Sequence, residues 1–384
     1  MELGLARAGF HASLLCDVLP TSKAVLSARF PGVPYHHDVM TLKSLPSGAE
    51  LLCAGFPCQD LSQAGRTAGL EGERSGLIGE VFRLLRRKRV KTVVIENVPF
   101  MLQLNGGGAI RAIVDEFEQL GYRWAYRVVD TFGFGLPQRR ERVFLVASKV
   151  LDPAEVLLSD DVDLTRPTTA LGQRAHGFYW TEGRGGLGWA VDAVPTLKNG
   201  STIGIPSPPA ILLPDGRVVK PSIRDAERLQ GFDADWTKPA ESVAKASSRW
   251  GLVGSAISVP VATWVGSRLR APGNYEKQRD RTFAEFGKAP RAARFDGAKR
   301  HAVNIGPDPI GLLPTPLTSF LESPATLEPL SLKATLGFLR RTRQAKLKFA
   351  DGFIRAVEAH ADRMSMTSAK GAGARQLELL EAAC

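Results

Sequence analysis

Cysteine is scarce in this 384-residue chain, with four residues at positions 16, 53, 58 and 384 and no Cys-x-x-Cys pair. That scarcity argues against a disulfide framework or a structural zinc site, predicts no bound metal, and suits a reducing, cytoplasmic setting. Long apolar runs are missing too. No stretch of about 18 apolar residues stands out, so no membrane span is expected. The N-terminus, Met1-Glu2-Leu3-Gly4-Leu5, lacks the basic-then-apolar pattern of a secretory leader. No internal repeat is visible. Positive charge is what the chain has in excess: 50 Lys and Arg stand against 39 Asp and Glu, a net +11, with a pI near 9.7. Such an excess favours a polyanionic partner, nucleic acid first among them. The apolar fraction of 44% is that of an ordinary globular protein, and the length allows two domains.

Residues 1–150 alternate between short apolar strands and helical segments. Ser13 to Cys16, Leu51 to Ala54, Thr92 to Ile95 and Arg142 to Val146 read as strands, and Gly79 to Lys88 and Ala109 to Leu120 as helices. Alternation at this spacing predicts an α/β fold with a parallel sheet covered by helices on both faces. Residues 151–220 are rich in Gly, Pro and Thr and predict a small irregular region of short strands and loops. A helix is expected from Ser222, where Ser222 and Asp225 have the spacing of a capping box. A second helix runs through Trp264 to Leu269. From 271 the composition shifts again: 18 Lys and Arg against 12 Asp and Glu give a net +6, and Arg340 to Lys348 is strongly basic. That part reads as a basic C-terminal extension.

Three motifs carry chemistry. Gly55-Phe56-Pro57-Cys58-Gln59 follows a strand and presents a thiol at the strand's carboxyl end, where open α/β sheets form ligand clefts. A thiolate there is a strong nucleophile, although a free cysteine is most often a small buried hydrophobe. Glu96-Asn97-Val98 follows directly on Val93-Val94-Ile95. A carboxylate in an apolar cleft has a raised pKa and can donate a proton; its plain alternative is a solvated loop residue. In Gln138-Arg139-Arg140-Glu141-Arg142, alternation in an extended segment puts Gln138, Arg140 and Arg142 on one face. Arginine forks suit phosphate oxygens or a carbonyl edge; the plain alternative is a basic turn.

Taken together and in this order, the three motifs resemble the DNA (cytosine-5)-methyltransferase family. The resemblance continues through Arg228-Leu229-Gln230-Gly231-Phe232 to Val253-Gly254-Ser255-Ala256-Ile257-Ser258-Val259-Pro260, and so covers roughly residues 1–270. It implies a Rossmann-like methyltransferase sheet (1–150, completed by 221–270), a small target-recognition region (151–220) and the basic extension (271–384). It implies methyl transfer from S-adenosylmethionine to C5 of a cytosine flipped out of duplex DNA. Cys58 would attack C6, Glu96 would supply the proton at N3, Arg142 would contact the cytosine carbonyl, and Arg140 would hold the pocket. Ser62 matches a phosphate-contacting position, and Gln138 and Arg140 belong with the DNA-facing motif. For the cofactor, Asp17 matches a ribose-binding acid, Asp38 faces the adenine amine, Leu77 packs on the adenosine and Pro57 lies near the methyl donor. Ser255 falls in the last motif, at a position usually held by Asn. The implied partner is double-stranded DNA, with a restriction endonuclease acting separately and the enzyme itself a monomer.

One departure stands out. The family's first motif, a strand ending in Phe-x-Gly-x-Gly, has no match, and Met1 to Phe10 looks like the helix that follows it. Weak binding of S-adenosylmethionine is the expectation that follows. It also keeps open a DNA-binding relic or one part of a split enzyme. The tRNA-methylating branch of the family, which usually carries Pro-Pro-Cys-Gln, fits Phe56-Pro57-Cys58-Gln59 less well.

Overall fold

Thr92–Asn97 is buried along its whole length, as a Val-Val-Ile run requires of a strand covered on both faces. The computed structural model describes residues 1–57, 76–88, 90–183, 186–200, 208–284 and 286–366. In chain order the first elements are α1 (Glu2–Arg7), β1 (Leu15–Cys16), α2 (Pro20–Arg29), β2 (Tyr35–His36), β3 (Leu51–Gly55), α3 (Gly76–Arg87), β4 (Thr92–Asn97), α4 (Gly108–Gln119) and β5 (Arg123–Asp130). The middle of the chain holds β6 (Gln138–Arg139), β7 (Glu141–Ser148), α5 (Pro153–Leu157), β8 (His176–Phe178), β9 (Trp189–Val191), β10 (Val194–Pro195), β11 (Ala210–Leu212), β12 (Val218–Val219) and α6 (Ile223–Leu229). Then follow α7 (Ser248–Ser255), α8 (Val259–Arg270), β13 (Asp280–Thr282), β14 (Ala292–Phe295), β15 (Arg300–Val303), α9 (Leu332–Thr342) and α10, residues 353–366.

The central sheet has seven strands in the order β13-β15-β14-β5-β7-β4-β3. It is mixed, which corrects the expectation of a parallel sheet: β3 and β4 run parallel, while β7 lies antiparallel between β4 and β5. Strand alternation sorts its side chains. Val93, Ile95, Val143 and Leu145 pack under α3 and α4 on one face, with Ile78, Phe82, Ile113 and Phe117. Val94, Phe144 and Val146 pack on the other against α5 and α8, with Leu157, Trp264 and Val265. Ser248–Arg270 is the one helical stretch of membrane-spanning length and composition among the described residues, and 61% of it is buried inside the protein. The parallel pair β1–β2 stands apart from the main sheet.

A second sheet, β12-β11-β8-β9, is antiparallel. Phe178, Leu212 and Val218 pack against Phe338 of α9 and Phe353 and Val357 of α10, while Ile211 and Val219 pack toward Leu229 of α6 and Val253 of α7. α6 starts with the full capping box predicted for Ser222 and Asp225. Residues 271–366 are therefore no appendage. β13, β14 and β15 extend the main sheet beyond β5, and α9 and α10 back the small one. β5 was missed from sequence because Arg123, Tyr126 and Arg127 interrupt its apolar pattern, yet seven of its eight residues are buried.

Arg127 explains how a cation survives in the middle of that strand. It is fully buried, and burial lowers its pKa to about 10. Its Nε donates to Gly306 O at 2.8 Å, Nη1 donates to the carbonyls of Leu157 and Asp160, and Nη2 reaches Asp161 Oδ1 at 3.1 Å. One guanidinium thus fastens two distant crossing segments to the sheet. Arg127→Met should lower the unfolding free energy by about 3 kcal/mol, since it removes the side-chain donor from the carbonyls of Leu157, Asp160 and Gly306, whereas Asp161 keeps Arg279 and the Gly306 N–H. The check is the urea midpoint; an unchanged midpoint would mean that the segments are held by other contacts.

Candidate active site

The motifs meet where β3 and β4 end and β7 begins. Gly55 and Glu96 are paired in the β3–β4 register. Asn97 Nδ2 donates to Phe56 O at 3.0 Å, while Asn97 Oδ1 accepts from Val98 N at 2.8 Å. Asn97 thus pins Phe56-Pro57 to the end of β4. Cys58 and Ser62 lie outside the described residues, so Phe56-Pro57 marks where the chain leaves for them.

Glu96 is 8% exposed. Its Oε1 lies 3.1 Å from Arg142 Nε, across the diagonal of the antiparallel β4–β7 pair. Burial raises its pKa, an effect partly offset by Arg142 and then Arg140. Burial also lowers the pKa of Arg142, against the attraction of Glu96. Both partners are pushed toward neutrality, so desolvation outweighs their mutual attraction. Arg142 Nη1 also donates to Glu141 O at 2.7 Å.

Arg140 is buried, and its guanidinium is saturated on one side by main chain. Nη1 donates to Leu197 O at 2.8 Å, and Nη2 to Gly254 O at 3.1 Å and Ala256 O at 2.6 Å. Its Nε has no partner among the described residues. Burial, then the like charge of Arg142, lowers its pKa. Gln138 is fully buried; its Nε2 donates to Leu229 O at 2.8 Å and its Oε1 accepts from Leu197 N at 3.0 Å. Both polar ends of Gln138 are engaged inside the protein. Gln230, from the late motif, donates to Val253 O at 2.8 Å and accepts from Ser258 Oγ at 2.8 Å. Sequence reasoning named this motif without finding its role. Leu197 was missed outright, because it contributes through main-chain atoms that no residue type announces.

Asp17 and Asp38 sit at the carboxyl ends of β1 and β2. Each uses one carboxylate oxygen locally: Asp17 Oδ1 accepts from Leu19 N at 2.8 Å, and Asp38 Oδ1 from Met40 N at 2.8 Å. Both carboxylates act on the same group: the Cys16 thiol is pushed up by burial, then by Asp17 and Asp38. Leu77 is half-buried in the first turn of α3, and Pro57 is exposed. Ser255 is exposed at the end of α7, next to the Gly254 carbonyl that holds Arg140.

Residues 1–169 match the C-5 cytosine-specific DNA methylase family. The chain is 43% identical over 377 residues to Type II methyltransferase M2.BsuMI of Bacillus subtilis, covering 94% of this chain and 96% of that relative. This chain belongs to the C-5 cytosine-specific DNA methylase family. It is a DNA cytosine-5 methyltransferase of type II. Type II methyltransferase M.HhaI of Haemophilus parahaemolyticus is 33% identical over 104 residues, 27% of this chain and 32% of that protein. Among solved structures, the Dnmt2 methyltransferase of S. pombe aligns with a TM-score of 0.47 at 14% identity, over 70% of this chain and 94% of that one.

The folded methyltransferase keeps the Glu96 proton to higher pH than the unfolded chain does. That proton's contribution to stability is complete below the ordinary glutamate range and is lost as pH rises through the raised folded value. The stability difference between wild type and Glu96→Gln should accordingly move in favour of wild type as pH falls through that window. Denaturant midpoints in matched buffers measure it. A difference independent of pH would show that the carboxyl is ionised throughout.

Proposed function

We propose that this methyltransferase transfers a methyl group from S-adenosylmethionine to a flipped-out cytosine in duplex DNA through a covalent bond from Cys58 to C6. The observation that carries this reading is Glu96: a buried, proton-retaining carboxyl paired with Arg142 at the strand end beside Phe56-Pro57, one residue ahead of Cys58. Cytosine C5 is a weak nucleophile. Addition of the Cys58 thiolate to C6 turns the ring into an enamine and drives charge toward N3 and O2. Glu96 supplies the proton at N3, and Arg142 stabilises the carbonyl oxygen; once C5 carries the methyl group, its proton leaves to water, the C6–sulfur bond breaks to expel the Cys58 thiolate, and the N3 proton returns to Glu96. Arg140 and Gln138 act one step back, holding the walls against which the base rests. Phe56-Pro57 lines the same side, and Ser62 grips the phosphate of the extruded nucleotide.

The residues at β1 and β2 fit an adenosine. Half-buried Asp17 and Asp38 offer acceptors for ribose hydroxyls and an adenine amine, and they lie beside exposed apolar side chains, Val18 at 70% and Met40 at 65%. Leu77 and Pro57 would close that site, with Ser255 nearby. When bound, S-adenosylmethionine supplies an electrophilic methyl group. On this reading the enzyme works as a monomer, with a separate endonuclease reading the same sequence.

Cys58→Ser should abolish the covalent complex formed with 5-fluorocytosine DNA and cofactor, and Glu96→Gln should slow methyl transfer by about 10²- to 10⁴-fold. Because the acid must hold its proton, wild-type turnover should fall on the alkaline side as pH passes the raised value of Glu96. Trapping that survives Cys58→Ser, or an alkaline limb that persists in the residual activity of Glu96→Gln, would overturn the assignment. Bisulfite sequencing of DNA from an expressing host reads out the target sequence.

A further inference from the structure

The segment 194–199 joins the small sheet to the catalytic wall. β10 runs parallel to β6, pairing Val194 with Gln138 and Pro195 with Arg139. Thr196 Oγ1 donates to Arg139 O at 2.8 Å, and Leu197 is gripped by Gln138 and Arg140. On the other side, Tyr179 from the end of β8 donates its hydroxyl to Thr196 O at 2.6 Å. The main chain at 198 has no freedom: a Cβ built at Gly254 would lie 2.1 Å from the Lys198 carbonyl carbon and oxygen. The next side chain along this strap is Lys198. Its Nζ lies 4.0 Å from the centroid of the Tyr179 ring and 3.2 Å from Glu182 Oε1. Tyr179 in turn is within electrostatic reach of Arg140 and Arg142.

This ion pair is oddly built for a structural one. Glu182 is buried while the Lys198 side chain is 34% exposed. Glu182 Oε1 receives no hydrogen bond in bonding geometry among the described residues, so only charge holds the ammonium. A half-exposed partner repays little of the cost of desolvating a carboxylate. Lysine is a point charge on a flexible stem, here braced against an aromatic face from which it can swing. The Arg140–Arg142–Glu96 cluster beside it leaves the region positive, as a DNA-facing rim requires.

We propose that Lys198 is a DNA-phosphate contact at the rim of the catalytic pocket, kept in place by Glu182 until the phosphate takes it over. The inference rests on the DNA reading above. Its rigid link through Leu197 to Arg140 sets the distance between the gripped backbone and the residues that act on the base. Lys198 is thus a positioning residue shared by recognition and chemistry.

The test is the salt dependence of binding to fluorescent duplex DNA by fluorescence anisotropy. Lys198→Gln should make the slope of log Kobs against log salt shallower by about 0.9, the value of one released counterion. Lys198→Arg should restore it. The double variant Lys198→Gln/Glu182→Gln leaves no orphaned buried charge and should show the same shallower slope, while Glu182→Gln alone should bind severalfold more tightly. Wild-type slopes in both Lys198→Gln and the double variant would overturn the proposal and reduce Lys198 to a brace for Glu182. Wild-type protein with no salt-dependent DNA binding would sink the DNA reading itself, and this inference with it.

Discussion

The saturation of Arg140 by main-chain carbonyls is the constraint on which the site depends. Its guanidinium joins three pieces of chain: the strap at Leu197, the end of α7 at Gly254 and the entry to α8 at Ala256. Burying a guanidinium is costly unless its donors are engaged, and here both terminal nitrogens are engaged while Nε has no partner among the described residues. Each of those pieces must therefore stay where it is, or a charged group is left unsatisfied. Gln138 repeats the logic with a neutral side chain, donating to Leu229 O and accepting from Leu197 N. Together the two residues turn a segment that would otherwise be a loop into a rigid seam.

That rigidity is what the neighbouring charges need. Glu96 and Arg142 each sit where burial disfavours their charged forms. Such a pair adds little to stability. A pair held in this way is the kind of arrangement that the mechanism proposed above requires: a carboxyl with a raised pKa beside an arginine. The geometry holds because β4 is paired along its whole length with β7, because Arg142 is paired with Val129 of β5, and because Asn97 fixes the incoming chain at Phe56.

Much of this was legible in the residues. The Val-Val-Ile run placed Glu96 at the end of a strand, period-two alternation put Gln138, Arg140 and Arg142 on one face, and Ser222 with Asp225 marked the start of α6. What could not be read has a common physical cause, which is tertiary burial overriding local pattern. Arg127 looks like surface but is the most enclosed cation of β5, because Gly306, Leu157 and Asp160 bring their carbonyls to it. The alternation that put Gln138 on the correct face did not say whether that face met solvent. β13 to β15 are short and charged, and they pair only because β5 offers an edge. The strap at 194–199 acts through main-chain groups, to which composition is blind.

The chain beyond 271 shows why composition misleads about dispensability. Its basic residues suggested an appendage, yet its contacts close both sheets. Asp308 accepts two hydrogen bonds from Arg166, at 2.8 and 2.9 Å. Arg166 also reaches Asp130 Oδ2 at 3.1 Å, an oxygen shared with Arg139 Nε at 2.8 Å. Asp130 ends β5, and its other oxygen accepts from the Arg140 main-chain N at 3.0 Å. Asp130, tied through Arg166 to the late part of the chain, thus also orients the segment that carries Arg140 and Arg142. A charged residue counts as surface only until the chain returns to cover it. Here the covering segment arrives more than 150 residues later in the chain, so a local reading sees its charges well before it can see their partners.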